Sequence, residues 1–135
     1  MAAVVVGFVP TPEGQAALRR GIDEARLRGS PLVVVTSRRG GRGYDDEDAT
    51  ADEQALADVR TELADQGLEH DVRHVVRGRE PAEDLLEVAA EVGATLLVIG
   101  MRKRTPVGKL LIGSNAQRIL LEAEMPVLAV KADDS

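Results

Sequence analysis

Thr95-Leu-Leu-Val-Ile-Gly100-Met-Arg-Lys-Arg-Thr-Pro-Val-Gly-Lys-Leu-Leu-Ile-Gly-Ser114 runs from an apolar segment, through a cationic connection, into the start of a helix. Thr95 to Ile99 is short and almost continuously aliphatic, the pattern of a strand covered on both faces. Gly113-Ser114 then opens a helix, whose first backbone N–H groups lack intrahelical partners and lie at the positive end of the helix dipole. An anion such as a phosphate is stabilised there. Serine is also a favoured N-cap when nothing binds, so the pair taken alone is equally a plain helix cap.

Working outward, similar apolar runs occur at Val4 to Val9, Leu32 to Thr36 and Val127 to Val130, with a more polar one at His70 to Val76. Helical spacing fills the intervals: Leu18, Ile22 and Ala25; Leu56, Val59 and Leu63; Leu85, Val88, Ala89 and Val92; Ala116, Ile119, Leu120 and Ala123. Thr11-Pro12 has the form of an N-cap followed by proline at the first helical position, and Glu80-Pro81 repeats it. Gly29, Gly67 and Gly93 are placed to close helices. The alternation of strand and helix predicts an α/β fold: an open five-stranded parallel sheet with helices on both faces and right-handed crossovers.

The chain reads as a single domain over residues 1–135. Residues 38–50, glycine-rich and then acidic, are expected to form a mobile loop, and the tail from Ala132 to fray. The last strand is expected at a sheet edge, where Val127 to Val130 offers itself for homodimer pairing.

Composition narrows the function. One Phe, one Tyr and no Trp leave an aliphatic core and no stacking platform for single-stranded nucleic acid. Without cysteine there are no disulfides, thiolate metal sites or thiol nucleophiles. A net charge of −6 argues against nucleic acid or an anionic membrane as the general partner. No basic leader opens the chain and no run reaches the roughly 20 apolar residues of a membrane span, so a cytoplasmic location is expected.

The positive charge is nevertheless concentrated. Arg38, Arg39, Arg42, Arg77, Arg79, Arg102, Lys103, Arg104 and Lys109 all follow predicted strands, nine of the 17 Lys and Arg. In an open parallel sheet the ligand crevice lies beyond the carboxyl ends of the strands. This basic rim points to a small anionic, phosphate-bearing ligand, against the alternative that surface loops simply tolerate arginine. The acidic run Asp45 to Asp48 is a competing internal anion, able to fold over the rim.

Val4-Val-Val-Gly7, Gly78 ahead of Pro81-Ala-Glu-Asp-Leu-Leu86, Leu96-Leu-Val-Ile-Gly100, Gly113-Ser114 and Pro126-Val-Leu-Ala-Val130 together resemble the universal stress protein family across nearly the whole chain. The resemblance implies a Rossmann-like fold of the adenine nucleotide alpha hydrolase-like kind, frequent homodimers, and ATP or AMP as ligand. ATP-binding members carry a glycine, two residues, a second glycine, nine residues, then glycine with serine or threonine. Gly100 and Gly113-Ser114 match, with nine residues from Arg104 to Ile112 between, but Lys103 replaces the middle glycine. Such members also end the first strand with an Asp that contacts the adenosine part, where this chain has Val9, with Thr11 offering only a hydroxyl. Losing one polar contact costs on the order of 1 to 3 kcal/mol, roughly tenfold to a hundredfold in affinity.

On this reading the phosphates meet the amides of Gly113, Ser114 and Asn115 with help from Arg102, Lys103 or Lys109. The base lies over Val9, Thr11 and Val35, beside Gly100. The alternative is a homodimeric interaction or scaffold protein with a lapsed pocket, and slow ATP hydrolysis is a third reading for which no activating base is visible. Ser114 has no His or Asp at an activating spacing. His70 and His74, four apart on a strand, stand about 13 Å from one another, too far to share a metal. Gly108-Lys109 is followed by Leu110, so it is no P-loop.

Overall fold

Successive valines of the first strand serve opposite layers, and this alternation organises the molecule. The computed structural model describes residues 2–38, 45–76, 79–101 and 113–132. In chain order these form β1 (Ala3–Gly7), α1 (Pro12–Arg28), β2 (Leu32–Arg38), α2 (Asp46–Asp65), β3 (His70–Val76), α3 (Pro81–Glu91), β4 (Ala94–Met101), α4 (Ser114–Glu122) and β5 (Val127–Lys131). The strands make one sheet in the order β3-β2-β1-β4-β5, with every neighbouring pair parallel. Valine and leucine dominate the three inner strands because side chains on both faces are covered, and β-branched residues suit a pleated surface packed on both sides.

Val4, Val6 and Phe8 face one layer with Leu18, Ile22 and Ala25 of α1 and Leu56, Val59 and Leu63 of α2. Ala3 and Val5 face the other, with Leu85, Val88 and Ala89 of α3 and Ile119 of α4. Leu18, Leu56, Leu63 and Leu97 are essentially inaccessible to solvent, and truncating one such leucine to alanine costs about 2–5 kcal/mol. These are the core positions that the helical and strand periodicities predict.

The punctuation is observed too. The Thr11 hydroxyl accepts the Gly14 backbone N–H at 3.2 Å, Pro12 opens α1, and Gly29, Gly67 and Gly93 follow their helices at φ 63°, 67° and 62°. At the end of β1 the strand stops at Gly7, two residues before the apolar run does. Val9 turns its carbonyl to accept from Thr11 N–H at 2.8 Å instead of joining the ladder.

The connection expected to be mobile is shorter than residues 38–50. Arg38 ends β2, and α2 has begun by Asp46. The Asp45 carboxylate accepts the Asp48 N–H at 2.9 Å while Asp48 accepts the Asp45 N–H at 3.2 Å, a reciprocal capping box. Asp46, Glu47 and Asp48 then occupy the first turn, where the helix dipole favours negative charge. The acidic run is therefore the start of a helix. Residues 39–44 lie outside the described residues.

Candidate functional site

β1 is the switch point of this topology: the chain builds outward from it through β2 and β3, then returns to its other side for β4 and β5. Ligands of open parallel sheets sit at such a point, beyond the strand carboxyl ends. A cavity of about 160 Å³ occurs there, lined by Gly7 to Val9, Val35 and Ser37, Ile99 and Gly100, Pro81, Ala82 and Leu85 of α3, and Asn115, Ala116 and Ile119 of α4. Its walls are chiefly aliphatic, and the first turns of α3 and α4 converge on its mouth. Clefts enclosing a whole drug-sized ligand are roughly 300–1,000 Å³. This one has room for a ring-sized apolar group, leaving the rest of a larger ligand outside. A broader depression of about 670 Å³ between α1 and α2 is bordered by Arg26, Asp58, Glu62 and Asp65, and lies away from the strand carboxyl ends.

Of the residues singled out in the sequence, Val9, Val35, Gly100 and Asn115 are brought together around this cavity. Val9 is 44% exposed and its side chain presents no acceptor. Gly113 and Ser114 stand at the exposed start of α4, with Gly113 in the N-cap position. Thr11 is not among the lining residues; its hydroxyl oxygen caps α1 by accepting the Gly14 N–H. Arg102, Lys103 and Lys109 lie outside the described residues.

Two glycines of the motif have different environments. A Cβ on Gly100 would stand 2.2 Å from the Glu13 carbonyl oxygen, so a side chain is excluded by the first turn of α1. Among the described residues, a Cβ on Gly113 would meet nothing within 4 Å.

Asn115 has a role that the phosphate reading missed. Glu80 gives no side-chain cap to α3; instead Asn115 Oδ1 accepts the Ala82 backbone N–H at 3.0 Å, joining the two helix starts. Arg118 reinforces the joint through Glu83 of α3 at 2.9 Å and pairs with Glu122 of its own helix at 2.9 Å.

The polar network on the β2 side was not legible from residue types. Asp84 is only 1% exposed; its Oδ2 accepts the Ser37 hydroxyl at 2.6 Å, and its Oδ1 accepts Arg79 Nε at 3.1 Å and Nη2 at 2.7 Å. Arg79 also donates to Glu87 at 2.6 Å. Hydrogen bonds to Glu87 and then Asp84 hold the guanidinium above its ordinary value, so it remains a cation. Nε and Nη2 of Arg79 are thus engaged by protein carboxylates. Arg38 ends β2, and the other seven residues of the basic rim fall outside the described residues.

The histidines of β3 have separate surroundings. His70 Nδ1 lies 2.7 Å from the Leu68 carbonyl, and His74 Nε2 lies 3.3 Å from Asp52. Among the described residues, no three His, Cys, Asp or Glu converge as a metal site would require.

The family model of the universal stress protein family matches residues 1–131. The chain belongs to this family. A universal stress protein of Mycolicibacterium smegmatis is 44% identical over 128 residues, covering 95% of this chain and 96% of the relative. The structure is similar to that of a universal stress protein from Archaeoglobus fulgidus, with a TM-score of 0.86 and 38% identity over 97% of this chain and 99% of that one. It is also similar to a universal stress protein from the same organism in complex with dAMP, with a TM-score of 0.79 and 32% identity, covering 97% and 98% of the two chains. The five-stranded parallel sheet layered between helices is the fold expected of the family. No helix among the described residues is long and apolar enough to cross a membrane.

Proposed function

We propose that this universal stress protein binds an adenine nucleotide, or a closely related phosphate-bearing ligand, and acts in the cytoplasmic stress response through partners. The observation that carries this reading is the apolar cavity at the strand carboxyl ends, bounded by the first turns of α3 and α4. The base sits among Val9, Val35, Leu85 and Ile119. The phosphates lie toward Gly113, Ser114 and the Asn115 amide, with Arg102, Lys103 or Lys109 as counter-charges. The dAMP complex of the Archaeoglobus fulgidus relative supports adenine as the base.

The test is to denature purified protein, identify any released nucleotide by mass spectrometry, and titrate ATP, AMP and cyclic AMP in thermal-shift assays. Ligand at one hundred times its Kd stabilises a folded protein by about 2.7 kcal/mol. Released nucleotide, or an upward shift at millimolar ligand, supports the reading. An empty protein with no shift favours the interaction or scaffold function, for which the apolar rim residue Val9 speaks.

Under either function the chain is proposed to be a homodimer paired through β5. That strand is an edge of the sheet, its Ala129 is exposed, and the preceding α4 leaves Leu120 42% and Leu121 77% exposed. Sedimentation velocity distinguishes a dimer from a monomer of 14.4 kDa.

A further inference from the structure

We infer that Ser37 makes this cavity select a ring bearing a hydrogen-bond donor, so that an amino-substituted purine is bound in preference to one with a carbonyl oxygen at that place. This rests on the nucleotide reading above and deepens it.

The basis is the direction of one proton. Ser37 shares the face of β2 that carries Val33 and Val35, and it lines the cavity beside Val35. A hydroxyl has one proton to donate and two lone pairs with which to accept. The proton of Ser37 is given to Asp84 over 2.6 Å, the length of a charge-assisted O–H···O⁻ bond. Asp84 is fixed in turn: it is 1% exposed, and its other oxygen accepts two N–H bonds from Arg79. A carboxylate is an acceptor only, so the Ser37 proton stays turned toward α3. What remains for the cavity is the oxygen's lone pair. An N–H brought against it is satisfied, whereas a carbonyl oxygen meets a second acceptor and loses its hydrogen bond to water without replacement.

The opposite side of the cavity has the reverse polarity. Asn115 Oδ1 accepts the Ala82 N–H, an orientation that leaves its amide N–H₂ as a donor beside the N-terminus of α4. An acceptor on the β2 side, an apolar middle and donors on the α4 side match a ligand with an amino group at one end and an anion at the other. Adenosine monophosphate has this order of groups; inosine monophosphate replaces the amino group by a carbonyl.

The experiment is calorimetric titration of AMP and IMP into the wild-type protein, Ser37→Ala and Ser37→Thr. Wild type is expected to prefer AMP by about tenfold or more. Ser37→Ala should bring the two within about threefold by weakening AMP alone, and Ser37→Thr, which restores a hydroxyl, should recover the preference. Equal weakening of AMP and IMP in Ser37→Ala would reduce Ser37 to a structural link and overturn the inference, as would a wild type that binds both equally. A wild type that binds neither at millimolar concentration overturns the nucleotide reading, and this selectivity with it.

Discussion

Asn115, in the first turn of α4, accepts the backbone N–H of Ala82, in the first turn of α3, at 3.0 Å. A residue from another helix thereby supplies the cap that Glu80 does not. Removing a side-chain cap costs about 1 kcal/mol and up to about 2, so Asn115→Ala should lower the thermal midpoint by roughly 3–8 °C. Asn115→Asp keeps an acceptor for Ala82 and should retain most of the stability, while its charge repels an anion at the start of α4. Differential scanning calorimetry together with AMP titration separates the two effects.

Gly100 and Gly113 should respond oppositely to the same substitution. With Glu13 O 2.2 Å from the new Cβ, Gly100→Ala forces β4 and α1 apart and should cost at least about 2 kcal/mol. Among the described residues nothing meets the methyl group of Gly113→Ala, which should change stability by no more than about 1 kcal/mol. If phosphate rests on the start of α4, Gly113→Leu should nevertheless lose nucleotide affinity while remaining folded. Urea denaturation and nucleotide titration of these three variants provide the comparison.

Val9→Asp should strengthen adenine-nucleotide binding. Val9 is 44% exposed at the cavity rim, so a carboxylate there stays hydrated in the free protein and presents an acceptor to the adenosine part. A gain of about tenfold to a hundredfold in affinity is expected, measured by isothermal titration with AMP. Unchanged affinity would place the adenosine elsewhere.

Pairing through β5 predicts that Ala129→Glu dissociates the dimer. Ala129 is exposed on an edge strand, and two-fold symmetry brings each new charge close to its copy. The sedimentation coefficient should fall to that of the monomer with no loss of secondary structure by circular dichroism. A variant that stays dimeric would move the interface away from this edge.

The fold was readable because burial leaves periodic traces. Val4, Val5 and Val6 could be continuous only in a strand covered on both faces, and Leu56, Val59 and Leu63 repeat at the pitch of a helix whose first turn is otherwise wholly polar. The start of α2 was hidden because an acidic run looks solvated by composition; the carboxylates three apart at Asp45 and Asp48 were the overlooked capping signal. At the site, Val35 was legible and Ser37 was not, although period two places Ser37 on the same face two residues later. Its bond to Asp84 joins residues 47 apart in sequence, a separation that no local pattern reports. Thr11 illustrates the converse: its bond to Gly14 spans three residues, and Thr11-Pro12 already announced the cap.

The contact between Gly100 and Glu13 also has a kinematic consequence. With so little clearance at that point, the end of β4 and the first turn of α1 are expected to move together, leaving this side of the cavity the less adaptable one. Adjustment falls to the opposite wall, where α3 and α4 are tied near their first turns by Asn115 to Ala82 and Arg118 to Glu83.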